Sequence, residues 1–588
     1  MDKNKRTLTC GEPTAAHCDT EVILNGWVHR VRDHGGIRFF NLRDRYGQVQ
    51  VVIDTDAPEA VRETGSELKL EYCVAVVGIV RRRPDSMVNP DMASGEIEIQ
   101  ATSIDVLSSC EPLPFMIEDR SDAREETRLK YRYLDLRSAS MQRKIRLRHE
   151  VTWRVREYLN GLGFYEIETP TMIKSTPEGA RDFLIPSRLH PGSFYAMPQS
   201  PQLYKQILMV SGFDRYFQIA HCFRDEDARG DRQLEHTQID IEMSFVSAED
   251  VFELVEGMMN HVFTHAIDHP IPTPFLRLSY RDAMNRYGTD KPDLRFDLHL
   301  QDAAELAQGS GFRVFEEAIA SGGAVKALAV PGGARMSRKE IESLEAVAKT
   351  YGAKGLAWLK MGPQGPEGGI SKFFADAPEA VSGFGVAEGD LLLFVADTWK
   401  VACTALGAVR SSLGKTLDLI DRSAFAFAWV VDFPLFEWNE DDKRWEAAHH
   451  MFTMPQEQFI DTLESDPGAV NGDLYDLVCN GFELASGSIR IHNAELQSRI
   501  FDIVGFSREE AQKRFGFLLD AFRYGPPPHG GIAPGLDRLV MIMAGEQSIR
   551  EVIAFPKTTN GMSPMDESPS EVDPDQLKDL GIQIIHHR

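Results

Sequence analysis

The 588 residues, 43% hydrophobic and 26% charged, have the composition of an ordinary globular chain long enough for three or four domains. No run of about 18 apolar residues occurs and the first stretch, MDKNKRTLTCGEP, is polar, so neither a membrane span nor a signal peptide is expected; seven scattered cysteines without a CxxC pair argue against a disulfide framework or zinc site and fit the cytoplasm. A formal net charge of −25 argues against nucleic acid as a partner of the surface at large, although phosphate binding is decided locally, and between Arg120 and Arg156 twelve Lys/Arg stand against five Asp/Glu.

Residues 1–108 hold five strand-like runs, VILNGWVHRV, IRFFNLRD, QVQVVID, YCVAVVGIVRRR and GEIEIQATSIDVL, with turn signals at HGG, RYG and MASG. Short, evenly spaced strands predict a small closed barrel of the OB type. Its early strands carry Arg32, Phe39, Arg43 and Gln50. An exposed Phe stacks a nucleic-acid base for roughly 1 to 3 kcal/mol, and an amide reads a base edge. Phe39 and Phe40 are adjacent, so one of them points away from the core, and the residues alone leave open which. Residues 109–140 read as a Pro-punctuated linker followed by a charged hinge helix.

A domain split into 141–293 and 420–555 is expected to hold the chemistry. Met141, Ile145, Val155, Tyr158 and Leu162 form an apolar stripe that predicts a helix, followed by GFYEIETP. STPEGARDF is a polar loop offering Glu178, and QSPQLYKQ begins a helix presenting Gln202 and Lys205; taken singly, each is commoner on a surface than in a site. From Tyr216 the chain reads YFQIAHCFRDEDARGDRQLEHTQIDIEMSF: a strand, a charged loop from Arg224 to Arg232, and a second strand. Strand side chains repeat every two residues, so Ile239, Ile241 and Met243 face a core while Gln238, Asp240 and Glu242 share the other face. Arg224 and Asp240 then offer a cation for phosphate and an anion for ammonium on one floor. A solvated hairpin explains this stretch equally well.

Between Leu294 and Leu419 the texture changes. Twelve glycines fall between Gly309 and Gly369, and AVKALAVPG and GAKGLAWLK alternate with the helical SRKEIESLEAVAKTYG, predicting an independent α/β insertion without a catalytic constellation. Beyond it, Asp476, Glu483 and Arg490 recur at intervals of seven; carboxylate oxygens suit magnesium bridging phosphates, and a guanidinium suits a carboxylate. His449 and His450 precede a turn, MFTMP, where adjacent histidines are often simply exposed. In GGIAPGLDRLVMIMAGEQSIREVIAFPK, Gly530, Gly531 and Gly535 let backbone approach a ligand, and Gly535 opens an apolar helix bearing Arg538, which suits a polyphosphate. The acidic tail, 556–588, is assigned packing only.

The helix with GFYEIETP, then FRDE (Arg224, Asp225, Glu226), then GLDR (Gly535, Leu536, Asp537, Arg538) resemble, in order, motifs 1, 2 and 3 of the class II aminoacyl-tRNA synthetases. With the barrel residues Arg32, Phe39 and Gln50, the segments QSPQLYKQ and NGFELASGSIRIH, and an insertion similar to the GAD domain, the resemblance spans nearly the whole chain and points to the bacterial-type aspartyl-tRNA synthetases. It implies a multidomain α+β fold: an OB-fold anticodon-binding barrel, a class II antiparallel-sheet catalytic domain and a GAD-like insertion. It also implies two-step charging of tRNA(Asp) with L-aspartate, using ATP and Mg2+, by a cytoplasmic homodimer.

By the same resemblance Arg224, Glu483 and Arg538 are catalytic, and Arg224, Asp225, Glu226, Gln233, His236, Glu483 and Gly535 to Arg538 bind ATP. Asp476 and Glu483 hold the metal. Lys205 and Arg490 neutralise the substrate's side-chain carboxylate, Glu178, Gln202 and Asp240 take its ammonium, and His449 lies over it. Asparagine would then leave Lys205 and Arg490 without a counter-charge, and Arg490→Ala is expected to end activation with the fold intact. Where the family reads RQPEFTQID, this chain reads RQLEHTQID, which places His236 where a Phe stacks on adenine. In the barrel, Arg32, Phe39 and Gln50 would hold the anticodon, and His34 links the chain to enzymes that charge both tRNA(Asp) and tRNA(Asn). The other readings are a strictly tRNA(Asp)-specific enzyme, a related asparagine or lysine synthetase, and a non-catalytic RNA-binding relative.

Overall fold

A computed structural model describes residues 5–119, 121–176, 180–374 and 378–585. The chain divides into two compact units, Met1–Arg143 with Ser563–Glu567, and Lys144–Met562 with Ser568–Arg588.

In the first unit, β1 (Glu21–His34), β2 (Ile37–Arg43), β3 (Gln48–Ile53), β4 (Cys73–Arg82) and β5 (Ile97–Ser108) close into a barrel in the order β1-β2-β3-β5-β4. Closure leaves no strand edge unpaired, and the inward residues of each strand form one core that includes Val28, Phe40, Leu42, Val76 and Ile99. Gly35 and Gly36 turn β1 into β2 with φ of 63° and 91°, the left-handed pair that a tight hairpin requires. The register sets Arg32 opposite Phe39 and Asn41 opposite Gln50, so Arg32, Phe39 and Gln50 share one face. Phe40 is the core residue and Phe39 the half-exposed one.

In the second unit, a helix spans Ala139–Gly161, close to the expected bounds, and β6 (Tyr165–Glu166) follows it. β7 (Leu184–Pro186) and β8 (Phe194–Ala196) pair as a small ribbon, and β9 (Arg215–Phe223) and β10 (Glu235–Ser244) form the expected hairpin. After β11 (Leu276–Ser279) come the strands of the insertion: β12 (Leu300–Asp302), β13 (Ala324–Val330), β14 (Ala357–Gly362), β15 (Gly365–Glu367) and β16 (Leu391–Asp397). Then follow β17 (Phe427–Val431), the ribbon of β18 (Phe436–Asn439) and β19 (Arg444–Ala447), and β20 (Leu474–Cys479), β21 (Phe482–Ile489) and β22 (His529–Pro534).

Eight of these make the main sheet, in the order β11-β17-β20-β21-β22-β10-β9-β6, antiparallel except at its two ends. One face is apolar. Ile239, Ile241 and Met243 pack there against the long helices Ala139–Gly161 and Ala248–Ile267 and the helix Leu536–Met543. The opposite face carries Asp240 and Glu242, as alternation along β10 requires. Gly531 of β22 runs beside them, and a Cβ there would lie 2.1 Å from Glu242 Oε2, so only glycine lets β22 pair this closely with β10.

The insertion forms its own sheet, β12-β13-β16-β14-β15, over two hydrophobic clusters. Every ladder in it is antiparallel. The expected alternation is present, with the helix Arg338–Thr350 between β13 and β14, but β16 enters between these two strands and separates them. No helix among the described residues is long and apolar enough to cross a membrane.

Candidate active site

A cavity of about 400 Å³ opens on the polar face of the main sheet. Its wall collects residues from the loop after β9, from β10, β21, β22, the helix Gln202–Val210 and the start of the helix Leu536–Met543. Of the residues expected in the site, Gln202, Lys205, Arg224, Glu226, Gln233, His236, Asp240, His449, Glu483, Arg490, Gly535, Asp537 and Arg538 line it. The sheet order explains this convergence, because β22, the last strand among the described residues, lies between β21 and β10 of the β9–β10 hairpin.

The floor is a buried quartet of charges. Lys205 Nζ donates to Asp240 Oδ1 at 2.7 Å and lies 3.2 Å from Glu242 Oε2. Arg490 donates through Nε to Glu242 Oε1 at 3.0 Å and through NH2 to Oε2 at 3.2 Å. Its NH1 donates to His450 Nε2 at 2.7 Å and Ser488 Oγ at 2.6 Å. Burial pushes the Asp240 carboxyl above the usual range, and Lys205 only partly offsets this. For Glu242 the same burial is outweighed by Arg490 and Lys205, which hold it below that range. The two cations therefore already have counter-charges. The expectation that asparagine would leave Lys205 and Arg490 unpaired is corrected: Glu242, which sequence reasoning placed on the right face but gave no task, balances them.

Two arginines also line the cavity. Arg224 follows β9 and its Nε is buried without a partner among the described residues; the same holds for Arg538 Nε. Arg538 otherwise donates through NH1 to the Glu483 carbonyl and lies 3.3 Å from Asp231 Oδ2. Asp240 Oδ2 and Asp476 Oδ1 are likewise buried and unpartnered. An unpaired buried polar group costs about 1 to 3 kcal/mol or more, so the three on Arg224, Asp240 and Arg538 mark a preorganised site, whereas Asp476, expected beside Glu483, does not itself line the cavity.

His236 is held neutral by burial and by Arg224 and Arg538, its pKa lowered to about 3, which leaves a neutral imidazole on the cavity wall. His449 is exposed at its surface, yet desolvation by the surrounding protein and the neighbouring Arg490 lower it to about 4, and the same two causes push His450 well down as well. His449 Nε2 meets Ser486 Oγ at 2.9 Å. Because a guanidinium only donates, His450 Nε2 is the acceptor of its bond from Arg490.

Asp476 sits on β20 and Glu483 on β21, across a bulge between Leu477 and Val478. Burial, then the charge of Glu483, drives the Asp476 carboxyl well above its ordinary range. Two facing carboxylates that repel each other are a donor set suited to a hard divalent cation. Among the described residues no group of three or more His, Cys, Asp or Glu could hold a metal ion.

Several expectations change. Leu536 is 1% exposed and belongs to the hydrophobic core rather than the cavity. Asp225 is exposed and does not line the cavity. Asp537 borders it, but both its carboxylate oxygens are engaged, by Arg148 and by the Thr237 N–H. Arg148 itself was not anticipated, since no spacing rule connects it to a residue 389 positions away. Glu178 lies outside the described residues. In the barrel, Arg43 is tied to Glu71 at 2.8 Å and is structural. Arg32 is exposed and donates to Gln50 at 3.3 Å, the Gln50 amide donates to Glu98 at 2.8 Å, and His34 stands edge-on to Phe39 with centroids 6.4 Å apart.

Comparison with known proteins agrees with this geometry. Residues 124–559 match the model for class II tRNA synthetases (D, K and N), and residues 22–107 match the OB-fold nucleic acid binding domain. The chain is 62% identical to an aspartate–tRNA(Asp/Asn) ligase of Treponema denticola, over 99% of this chain and 100% of that protein. It is 54% identical to an aspartate–tRNA ligase of Bacillus licheniformis, over 98% of each. A solved asparaginyl-tRNA synthetase from Pyrococcus horikoshii shares the fold, with a TM-score of 0.59 at 17% identity over 94% of this chain and 98% of that one. The chain belongs to the class II aminoacyl-tRNA synthetases of the aspartate, lysine and asparagine group, and within that group to the aspartate–tRNA ligases.

Proposed function

We propose that the protein attaches L-aspartate to tRNA(Asp), and to tRNA(Asn) as well, in the cytoplasm, working as a homodimer. The observation that carries this reading is one cavity lined by Arg224 and Arg538, whose Nε groups are buried and unpartnered, and by Lys205, Asp240 and Arg490, which Glu242 ties into a buried quartet. The aspartate α-carboxylate attacks the α-phosphorus of ATP, the bond to the β-phosphate oxygen breaks, and pyrophosphate leaves. No side-chain nucleophile takes part. Catalysis is positioning plus stabilisation of the charge that builds on the phosphorus oxygens, by Arg224 at the α-phosphate and Arg538 at the far end of the triphosphate. Asp476 and Glu483 would hold Mg2+, whose charge offsets that of the phosphates when it is bound. In the second step the terminal ribose hydroxyl of tRNA attacks the aspartyl carbonyl and AMP leaves.

Choice of aspartate follows from donors. Arg490 and Lys205 present only N–H groups, so a carboxylate satisfies them, whereas asparagine sets its own N–H2 against them. Asp240, with Oδ2 unpartnered, is placed for the substrate ammonium. Gln202 and the loop bearing Glu178 would assist it. Glu226, Gln233 and His236 would contact the nucleotide, and His449 would cover the amino acid. On the barrel, Arg32, Phe39 and Gln50 form the anticodon face, with His34 beside Phe39 supporting acceptance of both tRNAs. The test is charging of purified tRNA(Asp) and tRNA(Asn) side by side. Aspartate on both is expected; charging of tRNA(Asp) alone would remove the relaxed reading, and charging of neither would remove the enzyme reading.

A further inference from the structure

We propose that Arg148, on the helix Ala139–Gly161, is a positioning residue that sets the ATP side of the cavity; this rests on the aspartate-activating reading above. Arg148 does not line the cavity. Its NH1 donates to Asp537 Oδ1, and its NH2 donates to Thr237 Oγ1 at 3.1 Å. Asp537 Oδ2 accepts the Thr237 N–H at 2.7 Å, which closes a ring of three residues. The members of this ring are the immediate neighbours of the groups that would meet ATP. Thr237 follows His236 on β10, and Asp537 precedes Arg538. One guanidinium therefore fixes the spacing between the imidazole wall and the arginine.

The same helix grips the other end of that segment. Lys144, one turn before Arg148, lies 2.7 Å from Glu546 and 3.1 Å from Glu551, beyond the end of the helix Leu536–Met543. Between those two glutamates the Ile549 N–H donates to the Gly230 carbonyl at 3.0 Å and so holds the loop joining β9 to β10. Asp537 is nearly fully buried, and without Arg148 it keeps, among the described residues, one N–H donor and no ion pair. The strand–helix junction then shifts on the ATP side, while the floor quartet, held by its own ion pairs, does not.

The test is aspartate-dependent ATP–pyrophosphate exchange by the full-length chain, with ATP and aspartate varied separately. Arg148→Met is expected to raise the KM for ATP on the order of 10-fold or more while leaving that for aspartate within about twofold. Arg148→Lys keeps a charge on Asp537 but loses one arm, and is expected to fall between wild type and Arg148→Met. Equal rises in both constants would mean general loosening and overturn the proposal, as would an unchanged KM for ATP. If Arg148→Met does not fold, Arg148→Lys carries the test, and a native KM for ATP in that variant overturns the inference. Absence of exchange in the unmodified chain would instead overturn the functional reading.

Discussion

Arg490 is 2% exposed and spends two of its three nitrogens on Glu242, so removing it acts on substrate and fold together. Arg490→Ala is expected to abolish aspartate-dependent exchange and, by leaving the buried Glu242 carboxylate to share Lys205 with Asp240, to cost about 3 kcal/mol of stability, read from urea unfolding. The fold is therefore not expected to be indifferent to this change. Arg490→Lys keeps a cation beside Glu242 but loses the planar fork, and separates the two effects: aspartate binding should fall while most stability returns. A native KM for aspartate in Arg490→Lys would remove Arg490 from the substrate site. His236 carries a pH signature. Its folded pKa, lowered to about 3, lies below the ordinary value of 6.5, so the unfolded chain binds the extra proton first. The stability it contributes is complete above pH 6.5 and is lost as pH falls toward 3. His236→Phe should flatten the decline of the urea midpoint between pH 6.5 and 4.5 and leave ATP affinity equal or better; an unchanged slope would contradict a buried neutral imidazole. Arg224, Arg490 and Arg538 were legible in the sequence because each stands in a short motif whose chemistry names it. Leu536 and Asp225 stand in the same motifs for packing and for the loop surface, and a motif does not separate such residues from those that line the cavity.

At the scale of elements, β10 was legible almost to the residue, because a strand with one buried apolar face and one buried polar face alternates strictly. The insertion was legible as helices and strands but not as a sheet. Nothing local in β13 and β14 says that β16, some thirty residues further on in the chain, will lie between them. This sheet closes over its own core, in which Phe394 is fully buried. Phe394→Ala should therefore cost about 3 to 5 kcal/mol, seen as a lowered calorimetric transition, with pyrophosphate exchange retained. Loss of exchange in a folded Phe394→Ala protein would tie the insertion to the chemistry, which none of its residues suggested.

At the scale of the molecule, the expected end of the hinge at residue 140 compares with a first compact unit that runs to Arg143, within the helix Ala139–Gly161. A boundary inside a continuous helix has no glycine or proline to announce it. The homodimer expected through this helix is checked by light scattering at micromolar concentration, where a monomer mass would contradict it. The place of β22 in the main sheet has a further consequence, for synthesis. Until residues 529–534 leave the ribosome, β10 has neither its neighbour on that side nor any sheet link to β21, which Arg490 directly follows. More than nine-tenths of the chain must exist before the catalytic sheet becomes continuous, so a chain cut short before Gly530 presents an open, charged strand edge to its surroundings. Premature termination ahead of β22 then gives material for chaperones and proteases instead of a partly working enzyme.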